Sequence, residues 1–324
     1  MRINWLSILR GWVVILVIIY HTTINTNKYS PDVLNNIFRQ INYIFNFRME
    51  LFFFISGFLL YYTKIQKDSS FKVILKERIP RIVYPYLFFT LVLFSLKVIF
   101  NDYVGVPVEP TLSYLLNIFL YPKIYFLWRW LWFLNTILIF FLLYPFLKYS
   151  LKNKYTILCA SCVCLGLHLF FPKEVNFLDL SRVASFILFF YFGILFAKFQ
   201  LQDYLKNKAL GMGLLVFFIM SLFFDYKNLL HSFSGIGVSV CFALYCSEKI
   251  PNLFSSFRNY YYQIYLIGTL FHLEILQKYA KIESFQAYLI ACFFSALAGI
   301  YMPVLISKII QRLNWKPLLK VVGF

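Results

Sequence analysis

The sequence predicts an all-α fold: a polytopic membrane helical bundle with about ten transmembrane helices. The first observation is composition, since 61% of the residues are hydrophobic and 14% are charged, whereas soluble domains carry about 25% charged residues. The second is that apolar stretches of roughly 17 to 25 residues, long enough to cross a bilayer, recur along the whole chain. Nothing is left over for a soluble appendage, so we expect residues 1–324 to form a single transmembrane domain.

The candidate spans follow the apolar stretches in order. They cover residues 5–24, 42–63, 82–100, 127–147, 155–171, 182–199, 209–224, 229–247, 260–277 and 285–307. The joint at residues 225–228 is the least marked, and merging the spans on either side of it would move every later loop to the other face of the membrane. No small-residue cleavage site follows the first span, so we expect a retained helix rather than a signal peptide.

The basic residues are distributed by membrane side. The net charge of +18 would suit a nucleic-acid-binding protein, because basic patches attract phosphate. With the N-terminus inside, however, the inner segments contain 19 lysines and arginines and the outer segments contain 8. This asymmetry is the one that orients membrane helices. We therefore expect both termini in the cytoplasm and no nucleic-acid partner.

Several kinds of active site have no counterpart in the sequence. A glycine-rich phosphate loop, a zinc-binding HExxH and a hydrolase GxSxG elbow are all absent. The cysteines lie in apolar stretches, where thiols behave as small hydrophobic groups, and we expect no metal site. Three histidines, His168, His231 and His272, have no charged partner at helical spacing and are expected to satisfy local hydrogen bonds or to lie at interfaces.

The remaining histidine aligns with a cation. Arg10 and His21 enclose ten uncharged residues in the first span. On an α-helix this spacing advances the chain ~16.5 Å and turns it only ~20° past three full turns, so both side chains leave nearly the same face. In one interpretation, Arg10 reaches the inner headgroups and His21 the outer interface. In the other, Arg10 binds phosphate and His21 acts as a general base at opposite ends of one polar groove.

The second span contains further polar residues, in the stretch FRMELFFFISGFLLYY. Arg48 and Glu50 stand at its outer entrance, where they can form a surface ion pair, or Glu50 can orient the imidazole of His21. Ser56 and Gly57 lie deeper. A small patch of this kind permits close helix packing, and it also leaves room for a thin acyl chain beside the backbone.

The third span begins with the stretch KERIPRIVYPY. Arg78 and Arg81 are three positions apart and share one side of a helix, while Pro80 and Pro85 are expected to bend the backbone. The arginines are explained either as a positive inner flank or as phosphate ligands, because the planar guanidinium pairs well with phosphate oxygens.

Together these patterns resemble the bacterial acyltransferase 3 family of membrane O-acyltransferases. The resemblance rests on the order and spacing of Arg10-x10-His21, FxxxSG over residues 52–57, Arg78-x-x-Arg81, and Pro85-Tyr86. The stretches WRWLWFLNTILIFFLLYP and FFYFGILFAKF also resemble the family's tryptophan-rich fourth span and its phenylalanine-glycine segment. The similarity covers nearly the whole chain, although the second half matches mainly by hydropathy.

The resemblance implies a reaction and a set of roles. An acyl group, usually acetyl from cytoplasmic acetyl-CoA, would move to a hydroxyl of a carbohydrate or glycolipid outside a bacterial cytoplasmic membrane. His21 would be the catalytic residue, and Ser56 would shape the acyl passage. The CoA phosphates would be bound by Arg10, Arg78 and Arg81.

The chain departs from the family pattern at two positions. Many relatives have IYLxH in the ninth helix, whereas this chain reads QIYLIGTLFH, with Gly268 near the expected histidine and His272 one turn later. Relatives also often have proline where Glu50 stands. These differences leave the acceptor and the subfamily open.

Two other classes of protein fit the same composition. One is an exporter of polysaccharide or lipid-linked sugar, since aromatic residues make up 22% of the chain and can line a glycan path or form interface belts. The other is a structural membrane protein without chemistry.

Arg129 and Arg182, near outer span ends, either bind an anionic acceptor or extend to the lipid interface. The partners expected for the enzyme are acyl-CoA, a glycan acceptor and membrane lipids, and the oligomeric state stays open.

Overall fold

The structure is a computed structural model, and it describes residues 3–23, 32–101, 107–125, 131–223, 229–268 and 285–323. Over these residues the chain is helical and contains no β-strand, which confirms the all-α fold class. In chain order the helices are α1 (Asn4–Thr23), α2 (Asp32–Ile44), α3 (Arg48–Leu60), α4 (Phe71–Glu77), α5 (Ile79–Ile99), α6 (Leu112–Leu120), α7 (Trp132–Leu142), α8 (Tyr144–Ser150), α9 (Lys154–Phe170), α10 (Leu180–Lys198), α11 (Lys208–Ser221), α12 (Leu229–Lys249), α13 (Tyr261–Ile267), α14 (Phe285–Leu313) and α15 (Lys316–Val321).

Six helical stretches in the described part of the chain are long and apolar enough to cross a membrane, which supports a multi-pass membrane protein. They are Asn4–Thr23, Asn36–Ile65, Phe71–Ile99, Phe177–Lys198, Leu229–Lys249 and Gln286–Leu313. A seventh arises if α7 and α8, which meet at a bend of 56°, form one broken span. The apolar helices α9 and α11 are shorter. The count of ten spans and the cytoplasmic side of both termini stay predictions.

The least marked joint of the predicted spans separates two helices. Helix α11 ends at Ser221 and α12 begins at Leu229, and the two helices pack against each other. The predicted ninth span, 260–277, is described only through α13 and Gly268, and its remainder lies outside the described residues.

The chain divides into two compact units. The first comprises Met1–Ser56 and Phe196–Trp315, and the second comprises Gly57–Leu195 and Lys316–Phe324. In the first unit α1 packs against α12, α13 and α14. One of its apolar clusters contains Val14, Ile18, Phe257, Ile264 and Val304. The expectation of a single transmembrane domain stays a prediction.

In the second unit α5 packs against α4, α7 and α15. The helical stretch Phe71–Ile99 of this unit is interrupted at Arg78, between α4 and α5. Pro80 follows two residues later at the start of α5, where its missing N–H leaves no helical hydrogen bond unmade. Helix α5 continues through Pro85, and Phe71–Ile99 together form one membrane-crossing stretch, so the expected bends at Pro80 and Pro85 stay predictions.

The close packing of α3 against α10 depends on Gly57. A Cβ atom placed at Gly57 would lie 1.9 Å from the backbone oxygen of Phe190. No rotamer change can relieve this overlap, because the obstacle is main chain rather than a flexible side chain. Only glycine lets the end of α3 approach α10 this closely, so the small-patch interpretation of Ser56-Gly57 has a direct structural basis.

Gly57→Ala should destabilise the protein by about 1 to 3 kcal/mol or more, because α3 and α10 must move apart. Thermal unfolding of the purified protein in detergent measures this as a lower Tm. Gly166→Ala is the matched control, since a Cβ at Gly166 meets nothing within 4 Å and alanine favours the helix. A Tm for Gly57→Ala equal to that of the control would contradict the packing.

Candidate active site

Helix α1 carries the two residues that define the predicted site. It is continuous from Asn4 to Thr23, so the helical geometry between Arg10 and His21 is uninterrupted. The two side chains are therefore separated by ~16.5 Å along the axis and leave the helix within ~20° of one another. Both are half-buried. One side of α1 thus bears a cation near one end and an imidazole near the other.

Arg10 lies against α13 in the first unit. Its Cζ atom is 5.0 Å from the ring centroid of Tyr261, which is a cation–π contact. The Nε atom of Arg10 is buried and donates no hydrogen bond to the described part of the chain. A buried guanidinium nitrogen without an acceptor is costly, and an oxygen of a bound anion would satisfy it.

The aromatic partner of Arg10 also contacts the FxxxSG segment. The rings of Tyr261 and Phe52 lie 6.4 Å apart between centroids, and Phe52 lies 6.0 Å from Tyr265. Such separations allow favourable ring packing. Within the first unit, the arginine of α1 and the first residue of the α3 motif are therefore joined through one tyrosine of α13.

His21 lies beside a second cation–π pair. Its ring is 5.2 Å from that of Tyr20 in an edge-on arrangement. The Cζ atom of Arg48 lies 3.6 Å from the Tyr20 centroid, and its Nη1 donates to the backbone oxygen of Phe45 at 3.1 Å. Arg48 is 93% buried, since only 7% of it is exposed, and its charge acts on His21. A fixed cation beside an imidazole has the chemistry to stabilise an oxyanion.

Glu50 lies in the first turn of α3. Its Oε2 atom is buried and accepts no hydrogen bond from the residues that the structure describes. The charge of Arg48 acts on Glu50, yet the two residues form no ion pair within the described chain, and Arg48 is buried. The arrangement is therefore not a surface ion pair. Orientation of His21 by Glu50 stays a prediction, and Oε2 does not provide it here.

Ser56 is satisfied within its own helix. Its hydroxyl donates to the backbone oxygen of Phe52 at 3.0 Å, which is a common arrangement for serine inside a helix. Ser56 is the last residue of the first unit, and Gly57 is the first residue of the second. Its expected role in shaping the acyl passage stays a prediction.

Arg78 and Arg81 belong to the second unit, whereas the other predicted site residues belong to the first. Arg78 stands between α4 and α5, and its Nη2 donates to Thr63 Oγ1 at 2.7 Å. Arg81 lies one turn later in α5 and is exposed. Neighbouring Lys64 and Glu77 form a hydrogen-bonded ion pair. Both arginines therefore lie in a local cluster of charged side chains.

The other histidines have structural partners. His168 Nδ1 lies 2.7 Å from the backbone oxygen of Ser185. His231 is buried, with Nδ1 3.0 Å from Ser221 Oγ and Nε2 3.2 Å from the backbone oxygen of Ile44. These contacts confirm the expectation that both histidines satisfy local hydrogen bonds. His272 lies outside the described residues.

Arg182 is held inside the second unit. Its Nη1 donates to Asp179 Oδ2 at 2.7 Å, and its Cζ lies 4.8 Å from the ring centroid of Trp132. Asp179 is fully buried, so the pair is a structural ion pair at the start of α10. Arg129, the other arginine considered for an anionic acceptor, lies outside the described residues.

Comparison with known proteins decides the family. A family model for an acyltransferase domain, that of the acyltransferase 3 family, matches residues 3–308. The chain belongs to the acyltransferase 3 family. No curated protein and no solved structure matches the chain. Membership supports acyltransferase activity in a multi-pass membrane protein.

Sequence reasoning missed the aromatic partners in this acyltransferase 3 protein. Tyr261 stands 251 positions after Arg10, and no local pattern links residues so far apart. Tyr20 directly precedes His21, but adjacent residues on a helix point in different directions, and the sequence does not show that Arg48 stacks on Tyr20. The available signal was chemical. A buried cation needs a partner, and the chain contains 25 tyrosines that can provide one.

A double-mutant cycle should detect the contact between Tyr20 and Arg48. We expect Tyr20→Leu and Arg48→Met to be non-additive in the free energy of unfolding by about 1 to 2 kcal/mol, because either change alone already removes the contact. Unfolding in detergent micelles measures the coupling. Tyr301→Leu combined with Arg48→Met is the control, since the Tyr301 ring packs on Phe257. Equal coupling in both cycles would contradict the geometry.

Proposed function

We propose that this acyltransferase 3 protein moves an acyl group, typically acetyl, from cytoplasmic acyl-CoA to a hydroxyl of an extracytoplasmic carbohydrate or lipid-linked glycan. The observation that carries the proposal is the placement of Arg10 and His21 on one face of the unbroken helix α1. Family membership supplies the reaction class. The alternative, an exporter of glycans, gains no such support from the family.

The donor is proposed to bind through its phosphates. Arg10, Arg78 and Arg81 are the cations assigned to them, and the buried Nε of Arg10 lacks an acceptor that a phosphate oxygen can provide. The pantetheine arm is long and thin. Ser56, beside the closely packed Gly57, is the residue proposed to shape its passage. These assignments follow the family resemblance residue by residue.

His21 is proposed to be the general base. Its imidazole takes the proton of the acceptor hydroxyl, and the oxygen attacks the thioester carbonyl to form a tetrahedral oxyanion. Collapse of this intermediate forms the ester bond and breaks the carbon–sulfur bond, and the leaving thiolate takes up the proton. Arg48, stacked on Tyr20, is proposed to stabilise the oxyanion. Glu50 is proposed to orient the imidazole in the substrate-bound state.

The proposed setting is a bacterial cytoplasmic membrane. The excess of basic residues in the inner segments supports a cytoplasmic N-terminus, which puts Arg10 toward the donor side and His21 toward the acceptor side. Their separation of ~16.5 Å covers about half of a hydrocarbon core that is ~30 Å thick. An acyl group carried on a pantetheine arm can cover that distance.

His21→Ala should slow acyl transfer strongly. The expected loss of rate is about 10²- to 10⁴-fold, the contribution typical of a positioned base, with the protein still folded. The measurement is transfer of label from radiolabelled acetyl-CoA to cell-envelope glycan by purified protein in membranes. His168→Gln is the matched control, because a glutamine amide can replace the contact to Ser185 without affecting catalysis.

Equal transfer by the original protein and His21→Ala would remove His21 from the mechanism. An exporter gives a different pattern. It would tolerate His21→Ala and would show no affinity for CoA, so a binding measurement with CoA separates the two functions. An inert structural protein would tolerate changes at both Arg10 and His21.

Arg10→Met should weaken the binding of the acyl donor rather than slow the chemical step. We expect the KM for acetyl-CoA to rise about tenfold or more, because a charged hydrogen bond to phosphate is lost, while kcat changes less. Arg10→Lys, which keeps the charge, should give a smaller rise. Steady-state kinetics with acetyl-CoA as the varied substrate provides the measurement. An unchanged KM accompanied by a lower Tm would mean that Arg10 only packs against Tyr261.

A further inference from the structure

The segment that follows α3 is a short π-helical turn, Tyr61–Ile65, with Thr63 and Lys64 at consecutive positions. Isolated π-helical turns are rare and occur frequently at functional sites. Thr63 accepts a hydrogen bond from Arg78, and Lys64 binds Glu77. Thr63 and Lys64 of this turn thus contact Arg78 and Glu77, which lie where α4 meets α5 in the second unit.

The exposure of Lys64 and Glu77 is unequal. The Lys64 side chain is only 11% exposed, whereas the Glu77 side chain is 57% exposed. Lys64 is therefore held in place by the protein around it, and Glu77 can turn toward solvent. A buried ammonium group requires an anion, and Glu77 is the anion that it contacts here.

The carboxylate of Glu77 also interacts electrostatically with two further cations. The charges of Arg78 and Arg81 both act on Glu77, in addition to the direct bond from Lys64. The exposed lysines Lys72 and Lys76 lie on the same helix, α4. One negative charge among so many positive ones leaves the cluster strongly basic. A phosphate group carries more charge and more acceptor oxygens than a carboxylate, so it can satisfy several cations at once.

We propose that Lys64 is a further cation of the acyl-CoA phosphate site, beside Arg78 and Arg81, and that Glu77 is a resident anion which the phosphate displaces. The proposal rests on the proposed function, because it assumes acyl-CoA as the donor. It adds one binding residue and one competitor to the site. Lys64 stays in place when the donor arrives, and Glu77 swings into solvent.

Removal of the Glu77 carboxylate changes the affinity for the donor in opposite directions under the two roles that Glu77 can have. A carboxylate that only supports the fold would, when removed, leave Lys64 unpaired and weaken the site. A resident competitor would, when removed, strengthen donor binding. Glu77→Gln distinguishes the two, because glutamine keeps the shape and can still accept a hydrogen bond from Lys64 while losing the charge.

The experiment is a titration of the full-length protein in detergent with CoA as the probe, at constant salt concentration because phosphate binding is screened by ions. We expect Glu77→Gln to lower the Kd for CoA about two- to fivefold, as the loss of a weak, exposed competitor allows. Lys64→Gln should raise the Kd about tenfold, because a charged phosphate contact is lost.

Asp68→Asn is the matched control. Asp68 pairs with Lys148 at 2.7 Å and is 89% exposed, so this variant removes a carboxylate from the same turn region without touching the proposed site. It should leave the Kd unchanged. A similar gain in affinity for Asp68→Asn would show a general effect of net charge and would overturn the proposal.

The remaining outcomes separate failure of the roles proposed for Lys64 and Glu77 from failure of the proposed acyltransferase function. If the original protein binds CoA and Glu77→Gln binds it equally or less tightly, Glu77 is a structural partner and the resident-anion proposal is wrong. If Lys64→Gln binds CoA as well as the original protein does, Lys64 is not a ligand. If the original protein does not bind CoA at all, the proposed function itself fails, and this proposal fails with it.

Discussion

The constraint on which the structure depends is the scarcity of water inside an apolar helical bundle. A cation there must be placed against an aromatic face, a carbonyl oxygen or an anion, since unpaired charge is costly. Arg10 lies over Tyr261, and Arg48 lies over Tyr20 with a carbonyl bond. Lys64 takes the third solution and binds a carboxylate. Aromatic residues therefore act in this chain as partners for charge as well as apolar filling.

The buried polar side chains differ in how far their hydrogen bonds are satisfied. His168 and His231 contact acceptors or donors of the surrounding helices, and they are explained by structure alone. Arg10 and Glu50 each retain a buried polar atom without a hydrogen bond to the described chain, a property that they share with six other described residues but that falls, in their case, on predicted site residues. Such atoms call for an explanation. A substrate that carries phosphates and hydroxyl groups would provide the missing partners, in line with the proposed reaction.

Local patterns in the sequence predicted the local parts of the structure well. The first span was expected at 5–24 and α1 occupies Asn4–Thr23, while the sixth was expected at 182–199 and α10 occupies Leu180–Lys198. Apolar run length and helical period are properties of neighbouring residues, so these bounds follow from composition. The alignment of Arg10 with His21 is equally local, because it needs only an unbroken helix.

Other features depend on contacts that the sequence does not display. The bend of 56° between α7 and α8 interrupts a stretch that reads as one span. The π-helical turn Tyr61–Ile65 and the contact of Gly57 with Phe190 depend on neighbours in space. The ion pair of Lys64 with Glu77 was also not predicted from the sequence. They are 13 positions apart and meet only because the chain turns between the second and third spans.

The central claim is that one face of α1 joins a donor on one side of the membrane to an acceptor on the other. Membrane vesicles with the cytoplasmic face outward, loaded with a glycan acceptor in the lumen and supplied with radiolabelled acetyl-CoA outside, test it most directly. The account predicts label on the enclosed glycan. Label found only on glycan that is added to the same side as acetyl-CoA would contradict it.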